Sequence, residues 1–181
     1  MRNELFATPA FRSLCQRILV SVSHDNAAPG HTAFEGIKVL VVLTHESFYD
    51  DPLNCLRATI MQVREYFQDS EIAIKAHPRS THSEQYTRHY PNIKQIPNQI
   101  GTEVLAPMLD DQCIVIGDVS STLFTTRWLK PGAQIVAVEL ASMARNRKLH
   151  NNLIKLFSRL NIPMIEQSDI AGQIGSTSGH S

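Results

Sequence analysis

The sequence lacks the features that direct a protein to a membrane or to nucleic acid. Its 17 basic and 17 acidic side chains cancel and its pI is about 7.1, so no cationic surface for nucleic acid is indicated. No apolar run approaches the roughly 20 residues that cross a bilayer. The segment 1–23 contains charges and only a short apolar patch at 18–20, which makes a poor signal peptide. We therefore expect a soluble, cytoplasmic protein without a transmembrane segment.

Several common cofactor sites also lack their sequence signals. The three cysteines, Cys15, Cys55 and Cys113, do not have the spacing of metal ligands and cannot all pair, so they are interpreted as buried thiols in a reducing compartment. The first predicted strand is followed by Thr-His-Glu at 44–46 rather than by a glycine-rich dinucleotide loop, which argues against NAD or FAD. There is no P-loop either.

What the sequence does contain is a regular alternation of strand and helix patterns from residue 37 onward. Apolar, largely β-branched runs at 37–43, 72–76, 113–119 and 135–140 predict four strands. The more polar segment 92–96 is a weaker strand, third in chain order, and 162–165 indicates a further edge strand. Asp51 and Pro52 provide a helix cap and a first-turn proline ahead of apolar residues spaced by three and four. This alternation predicts an α/β fold, a doubly wound, Rossmann-like parallel sheet in the order 3-2-1-4-5 with helices on both faces.

The same sequence pattern also indicates the domain organisation. A length of 181 residues suits one hydrophobic core. The segment 1–36 has an irregular helical pattern and then glycine and proline, which predicts an N-terminal helical arm and linker. This arm either packs on the core or connects to something upstream. Residues 37–167 form the predicted Rossmann-like domain, and 168–181, without an apolar pattern, is a predicted disordered tail.

Polar residues follow the predicted strands at the edge where doubly wound sheets bind ligands. His77 ends the second strand, Glu103 follows the third, and Ser120 and Ser121 open a helix directly after the fourth. Unpaired amides, hydroxyls and the positive end of the helix dipole all favour a phosphate at such a helix start. The simpler alternative is that one of these serines is only an N-cap.

Three short elements occur in order along this edge: KAHP at 75–78, TEVL at 102–105 and GDVSSTL at 117–123. They resemble the His-Pro, Glu and Ser-Ser/Thr elements of bacterial sialyltransferases and polysialyltransferases with the two-lobed GT-B fold. The resemblance covers about residues 37–166. A weaker similarity exists to the glycerophosphotransferases of teichoic acid synthesis, which use a CDP-linked donor.

The resemblance implies that the chain is the donor-binding, C-terminal lobe for CMP-sialic acid. His77 would be catalytic, bonding the CMP phosphate and helping its departure. Ser120 and Ser121 would hold that phosphate, and Glu103 would accept bonds from the ribose hydroxyls. The predicted nucleotide-sugar site consists of His77, Pro78, Glu103, Ser120, Ser121 and Thr44. No metal or other cofactor is expected, because protein donors would neutralise the phosphate of the CMP-activated sugar.

Each assignment has a structural alternative. His77 ends a strand ahead of a proline, and Glu103 complements a helix dipole. His45 and Glu46 either line the pocket or belong to a solvated loop, and the solvated loop is the preferred interpretation. Lys75 and Arg79 are interpreted as surface charges that either steer an anion or have no specific role.

One departure from the family concerns its other lobe, which carries the catalytic base and should precede this one. Segment 1–36 is too short for such a lobe, and no acidic-acidic-glycine element is found. We therefore expect an incomplete enzyme: a fragment, a subunit of a split transferase, or a stand-alone module. The expected partners are the nucleotide-sugar donor and a glycan acceptor or an acceptor-lobe chain, without nucleic acid; peripheral association with the cytoplasmic membrane face is compatible. The alternatives are a CDP-glycerol-type donor domain and a non-catalytic nucleotide-sugar-binding module.

Overall fold

The computed structural model describes residues 6, 8–24, 36–139 and 147–178, and its centre is a parallel sheet of six strands in the order β3-β2-β1-β4-β5-β6. The strands are β1 Val39–Val42, β2 Ile72–Lys75, β3 Lys94–Ile96, β4 Ile114–Asp118, β5 Gln134–Glu139 and β6 Met164–Glu166. Every adjacent pair is parallel. The predicted α/β fold and the order 3-2-1-4-5 are confirmed, and β6 extends the sheet beyond β5.

The described residues contain seven α-helices: α1 Pro9–His24, α2 Pro52–Val63, α3 Ser83–His89, α4 Thr102–Leu105, α5 Ser121–Leu129, α6 Arg147–Arg159 and α7 Ile170–Ser178. Helix α2 begins as predicted, because the Asp51 side chain accepts a hydrogen bond from the amide of Asn54 at 3.0 Å and Pro52 is the first helical residue. Helix α3 was not predicted. Tyr86, in a largely polar segment, is its one buried anchor.

The two faces of the sheet have separate hydrophobic cores. Because side chains alternate along a strand, Val39 and Val41 face one core, which contains residues of α2, α3 and α7. Leu40 and Val42 face the other, which contains residues of α1, α4, α5 and α6. The central strands are buried along their whole length, as their continuous apolar runs predict.

The C-terminal segment corrects one sequence-based expectation. A disordered tail was predicted over 168–181, but residues 170–178 form α7, in which Ile170 and Ile174 are fully buried and contribute to the core. The side chain of Gln62 on α2 accepts a hydrogen bond from the amide of Ala171 at 3.1 Å and donates one to the carbonyl oxygen of Gln167. Two buried isoleucines four residues apart, together with these hydrogen bonds, dock the helix on the core. Residues 179–181 lie outside the described part.

The N-terminal arm packs on the domain. Helix α1 contacts α4 and the 3-10 turn that follows it, and its Cys15 and Leu19 are buried. Leu14 and Ile18, which support the helical prediction, are exposed. The predicted linker at 25–35 and the predicted end of β5 at residue 140 lie outside the described residues. None of the helices in the described part combines the length and hydropathy needed to cross a membrane.

Candidate functional site

A cavity of about 590 Å³ opens at the carboxyl ends of β1, β2 and β4. Five residues of the predicted site line it: Thr44, His77, Pro78, Ser120 and Ser121. These residues come from segments up to 77 positions apart, from Thr44 to Ser121, so the fold brings them together. Glu103 is not among the lining residues, although its neighbour Thr102 is.

The wall on the β4 side is the start of α5. Ser120 occupies the N-cap position with an extended backbone (φ −140°, ψ 163°), but its side chain makes no capping hydrogen bond. The capping alternative therefore does not account for the Ser120 hydroxyl. Ser121 is the first helical residue and is exposed. The amides of the first turn have no partner within the helix itself and carry the positive end of its dipole.

The wall on the β2 side includes His77, whose protonation is set by its own loop. The amide of Arg79 donates a hydrogen bond to His77 Nδ1 at 3.1 Å. Since Nδ1 acts as the acceptor, the neutral ring has its proton on Nε2. Burial, together with the neighbouring His45, Arg79 and Lys75, lowers the pKa of His77 and favours this neutral form. His77 therefore offers one fixed donor, Nε2–H.

His45 stands between these two walls and was not predicted as a site residue. It follows β1, which lies between β2 and β4 in the sheet, and its ring meets the His77 ring edge-on with centroids 5.3 Å apart. The amide of Ser47 donates to His45 Nδ1 at 3.2 Å, which leaves Nε2 as the donor here as well. The sequence signal was its place directly after a strand, yet it was interpreted as part of a solvated loop; it lines the cavity instead.

Glu46, also assigned to a solvated loop, ties the loop after β1 to the loop after β2. Its Oε1 accepts hydrogen bonds from the amide and the hydroxyl of Thr81, both at 2.8 Å. Burial acts to raise the pKa of Glu46, but the hydrogen bonds to its carboxylate, those from Thr81 among them, together hold this pKa well below its usual range. Glu46 is thus a charged clamp between the two loops that present His45 and His77.

Thr44 lines the cavity, but its donors are used inside the protein. Its amide and hydroxyl lie 3.1 and 2.8 Å from Asp118 Oδ2, and the hydroxyl of Tyr49 donates to the same oxygen. Burial raises the pKa of Asp118, and the bonds from Tyr49 and Thr44 oppose that rise. This buried cluster joins the ends of β1 and β4. Thr44 therefore stabilises the cavity wall, because its amide and hydroxyl already bond Asp118.

Two cationic residues next to His77 also line the cavity. Arg79 is exposed, as expected of a surface charge. Lys75 is not a surface charge: only 3% of the residue is exposed to solvent. Burial lowers the pKa of its ammonium to about 8, while Glu103 acts to raise it. Its sequence position, at the end of an apolar strand, does not distinguish a buried lysine from an exposed one.

Glu103 lies in the first turn of α4 and is exposed. Its neighbour Thr102 lines the cavity, and the charge of Glu103 acts to raise the pKa of Lys75. The cavity as a whole presents hydroxyls, amides, two imidazole donors and an ammonium, a set suited to a negatively charged ligand.

Comparisons of the chain with protein-family models, with curated proteins and with solved structures gave no match. The chemistry of this site is therefore the basis for assigning a function.

Proposed function

We propose that this domain binds the CMP-activated sugar donor of a sialyltransferase-like or polysialyltransferase-like glycosyltransferase. The observation that carries the proposal is the convergence of His77, Ser120 and Ser121 on one cavity at the carboxyl ends of the strands. This is where ligands bind in doubly wound sheets. The order of the His-Pro, Glu and Ser-Ser/Thr elements in the sequence adds the resemblance to those transferases.

The phosphate of CMP is the part of the donor that these residues suit best. The Ser120 side chain makes no capping bond, and the start of α5 supplies amides and a positive dipole end. On the opposite wall, His77 directs a donor from Nε2, because Nδ1 is occupied by the amide of Arg79. A phosphate between the two walls would therefore meet hydrogen-bond donors on both sides.

In the proposed reaction, an acceptor hydroxyl gives its proton to a base of the acceptor lobe and displaces CMP from the sugar with inversion. Negative charge grows on the CMP phosphate as the bond to the sugar breaks. Donors already aimed at that phosphate stabilise the transition state more than the ground state. His77 acts here as a hydrogen-bond donor to the leaving phosphate. No metal is part of the proposal, since the imidazole, hydroxyl and amide donors supply this stabilisation.

Glu103 keeps the proposed role of accepting bonds from the ribose. Its carboxylate is exposed in the first turn of α4, next to Thr102, which lines the cavity. A nucleotide that extends from the phosphate donors past Thr102 would reach it. A carboxylate only accepts hydrogen bonds, which suits a pair of ribose hydroxyls.

Calorimetric titration with CMP and with cytidine tests the proposal. We expect the wild-type protein to bind CMP more tightly than cytidine. The affinity for CMP should fall about ten- to a hundredfold in each of Ser120→Ala, Ser121→Ala and His77→Ala, because each loses one charge-assisted hydrogen bond. The affinity for cytidine should change little. Ser120→Ala should also leave the free energy of unfolding nearly unchanged, because the hydroxyl makes no capping bond.

Ser70→Ala is the matched control, because Ser70 is exposed and precedes β2 at the opposite edge of the sheet. It should change the affinity for neither ligand. A wild-type protein that does not distinguish CMP from cytidine would refute the proposal. Equal losses for both ligands in every variant would point to general destabilisation and remove the assigned roles.

A further inference from the structure

The buried ammonium of Lys75 forms no ion pair with a carboxylate in the part of the chain that the structure describes. Lys75 is 3% exposed at the end of β2, and none of the ion pairs within 4.0 Å among the described residues includes it. Its Nζ donates instead to two main-chain carbonyls, that of Ala76 at 2.7 Å and that of Asn98 at 3.4 Å. Burying an ammonium without an opposite charge is costly, so such a group is expected to meet an anion.

The cavity is the place from which that anion would come. An ammonium has three hydrogens, and two of them are assigned to the carbonyls of Ala76 and Asn98. Lys75 also lines the cavity, so the third hydrogen is left for a ligand. Burial lowers the pKa of Lys75 only to about 8, which keeps most of the population charged at neutral pH.

Lys75 on β2 and the phosphate donors after β4 line the cavity from strands on either side of β1. Lys75 is level with Val42 and Gly117 across the sheet, and β2 and β4 are separated by two strand spacings, roughly 9–10 Å. Ser120 is three residues beyond Gly117, and the bond to Asn98 draws Nζ toward β3, away from β4. A phosphate held at the start of α5 is proposed to meet His77, which lies in the loop after β2. We expect it to lie farther from the Lys75 ammonium, because the bond to Asn98 turns that group toward β3.

We propose that Lys75 Nζ binds a second anionic group of the ligand, distinct from the phosphate held at the start of α5. This inference rests on the proposed function and specifies its substrate class: donors in which the nucleotide is joined to a further negative group. For the proposed CMP-sugar donor, that group is the carboxylate of an acidic sugar. The second phosphate of a diphosphate-linked donor is the other source of such an anion, and it belongs to the alternative CDP-linked function. Lys75 is then a specificity-determining residue, because CMP alone leaves its ammonium unpaired.

The test compares three ligands, CMP, CMP-sialic acid and CDP-glycerol, by calorimetric titration of three proteins. The proteins are the wild type, Lys75→Met and Lys155→Met. Methionine keeps the length of the lysine side chain and removes its charge, and Lys155 is an exposed lysine of α6 that serves as the matched control. Binding of CMP by Lys75→Met serves as its folding control.

We expect one of the two donors to bind the wild-type protein more tightly than CMP, and this advantage to fall about ten- to a hundredfold in Lys75→Met. Lys155→Met should keep the wild-type ratio. An advantage for CMP-sialic acid identifies the carboxylate. An advantage for CDP-glycerol identifies the second phosphate, which supports the anion site at Lys75 but replaces the proposed CMP-sugar donor by a CDP-linked one. If neither donor exceeds CMP, or if Lys75→Met keeps the advantage, the assignment of Lys75 is wrong while the proposed function stands. If the wild type binds none of the three ligands, the proposed function fails together with it.

Discussion

The buried ammonium of Lys75 has a consequence for stability that is independent of any ligand. The ordinary pKa of a lysine side chain, 10.5, applies to the unfolded chain, whereas burial lowers it to about 8 in the folded protein. Between these two pH values the unfolded state binds more protons than the folded state, so the free energy of unfolding rises with pH across this window. A tenfold difference in proton affinity corresponds to about 1.4 kcal/mol, so the full rise from this residue is about 3 kcal/mol. Below pH 8 both states are protonated and the cost of burying the charge is complete.

Urea denaturation of the wild type and of Lys75→Met at pH 7, 8, 9 and 10 measures this rise. The variant has no ammonium to bury. Its free energy of unfolding minus that of the wild type should therefore be largest at pH 7 and should decrease toward pH 10. The tyrosines and cysteines are the same in both proteins, so their contributions to the pH dependence cancel in the difference. Lys155→Met removes an exposed charge, so its free energy of unfolding should change with pH in the same way as that of the wild type. A difference that stays constant with pH would show that the Lys75 ammonium is not buried as described, and would remove the basis of the second anion site.

Two further substitutions test the contacts that frame the cavity and close the fold. Tyr49→Phe removes a hydroxyl that donates to the fully buried Asp118, and should lower the free energy of unfolding by about 1.5–3 kcal/mol, measured by urea denaturation. Ile174→Ala removes a side chain of α7 that is 1% exposed and should cost about 2–5 kcal/mol in the same assay, whereas Ser176→Ala, on the exposed side of that helix, should cost little. A loss below about 0.5 kcal/mol for either substitution would contradict the corresponding contact.

The parts of the fold that were predicted from sequence are those whose signals are local. Helix α2 was predicted because its cap at Asp51 and its first-turn proline stand next to its apolar face. Strands β1, β2 and β4 were predicted because burial on both faces requires continuous apolar runs. Helices α3 and α7 lack such signals. Each is fixed by one or two residues, Tyr86 in α3 and Ile170 with Ile174 in α7, whose burial depends on what the rest of the chain places beside them.

The sequence predicted which strand ends form the candidate site, but not how the individual side chains are placed there. His77, Ser120 and Ser121 were placed correctly at one edge because parallel strands bring their carboxyl ends together. Sequence alone did not separate His45, which lines the cavity, from an exposed loop residue, because the position of its ring depends on the bond from the Ser47 amide. Lys75 was misjudged for a similar reason, since the loop that contributes the carbonyl of Asn98 decides whether the ammonium is buried.

The order of the strands explains why the serines and histidines line one cavity while Glu103 lies outside its lining. The chain passes from β1 to β2 and β3 on one side and then crosses to β4 on the other side of β1, so the loops diverge between β1 and β4 and leave a crevice. Asp118 and Thr44 bond across its base over 74 residues of sequence. His45 is at the centre of this arrangement, with His77 one strand away on one side and Ser120 one strand away on the other. Glu103 follows β3, three strand spacings or roughly 14 Å from β4, so it can contact only a part of the ligand that extends away from the phosphate.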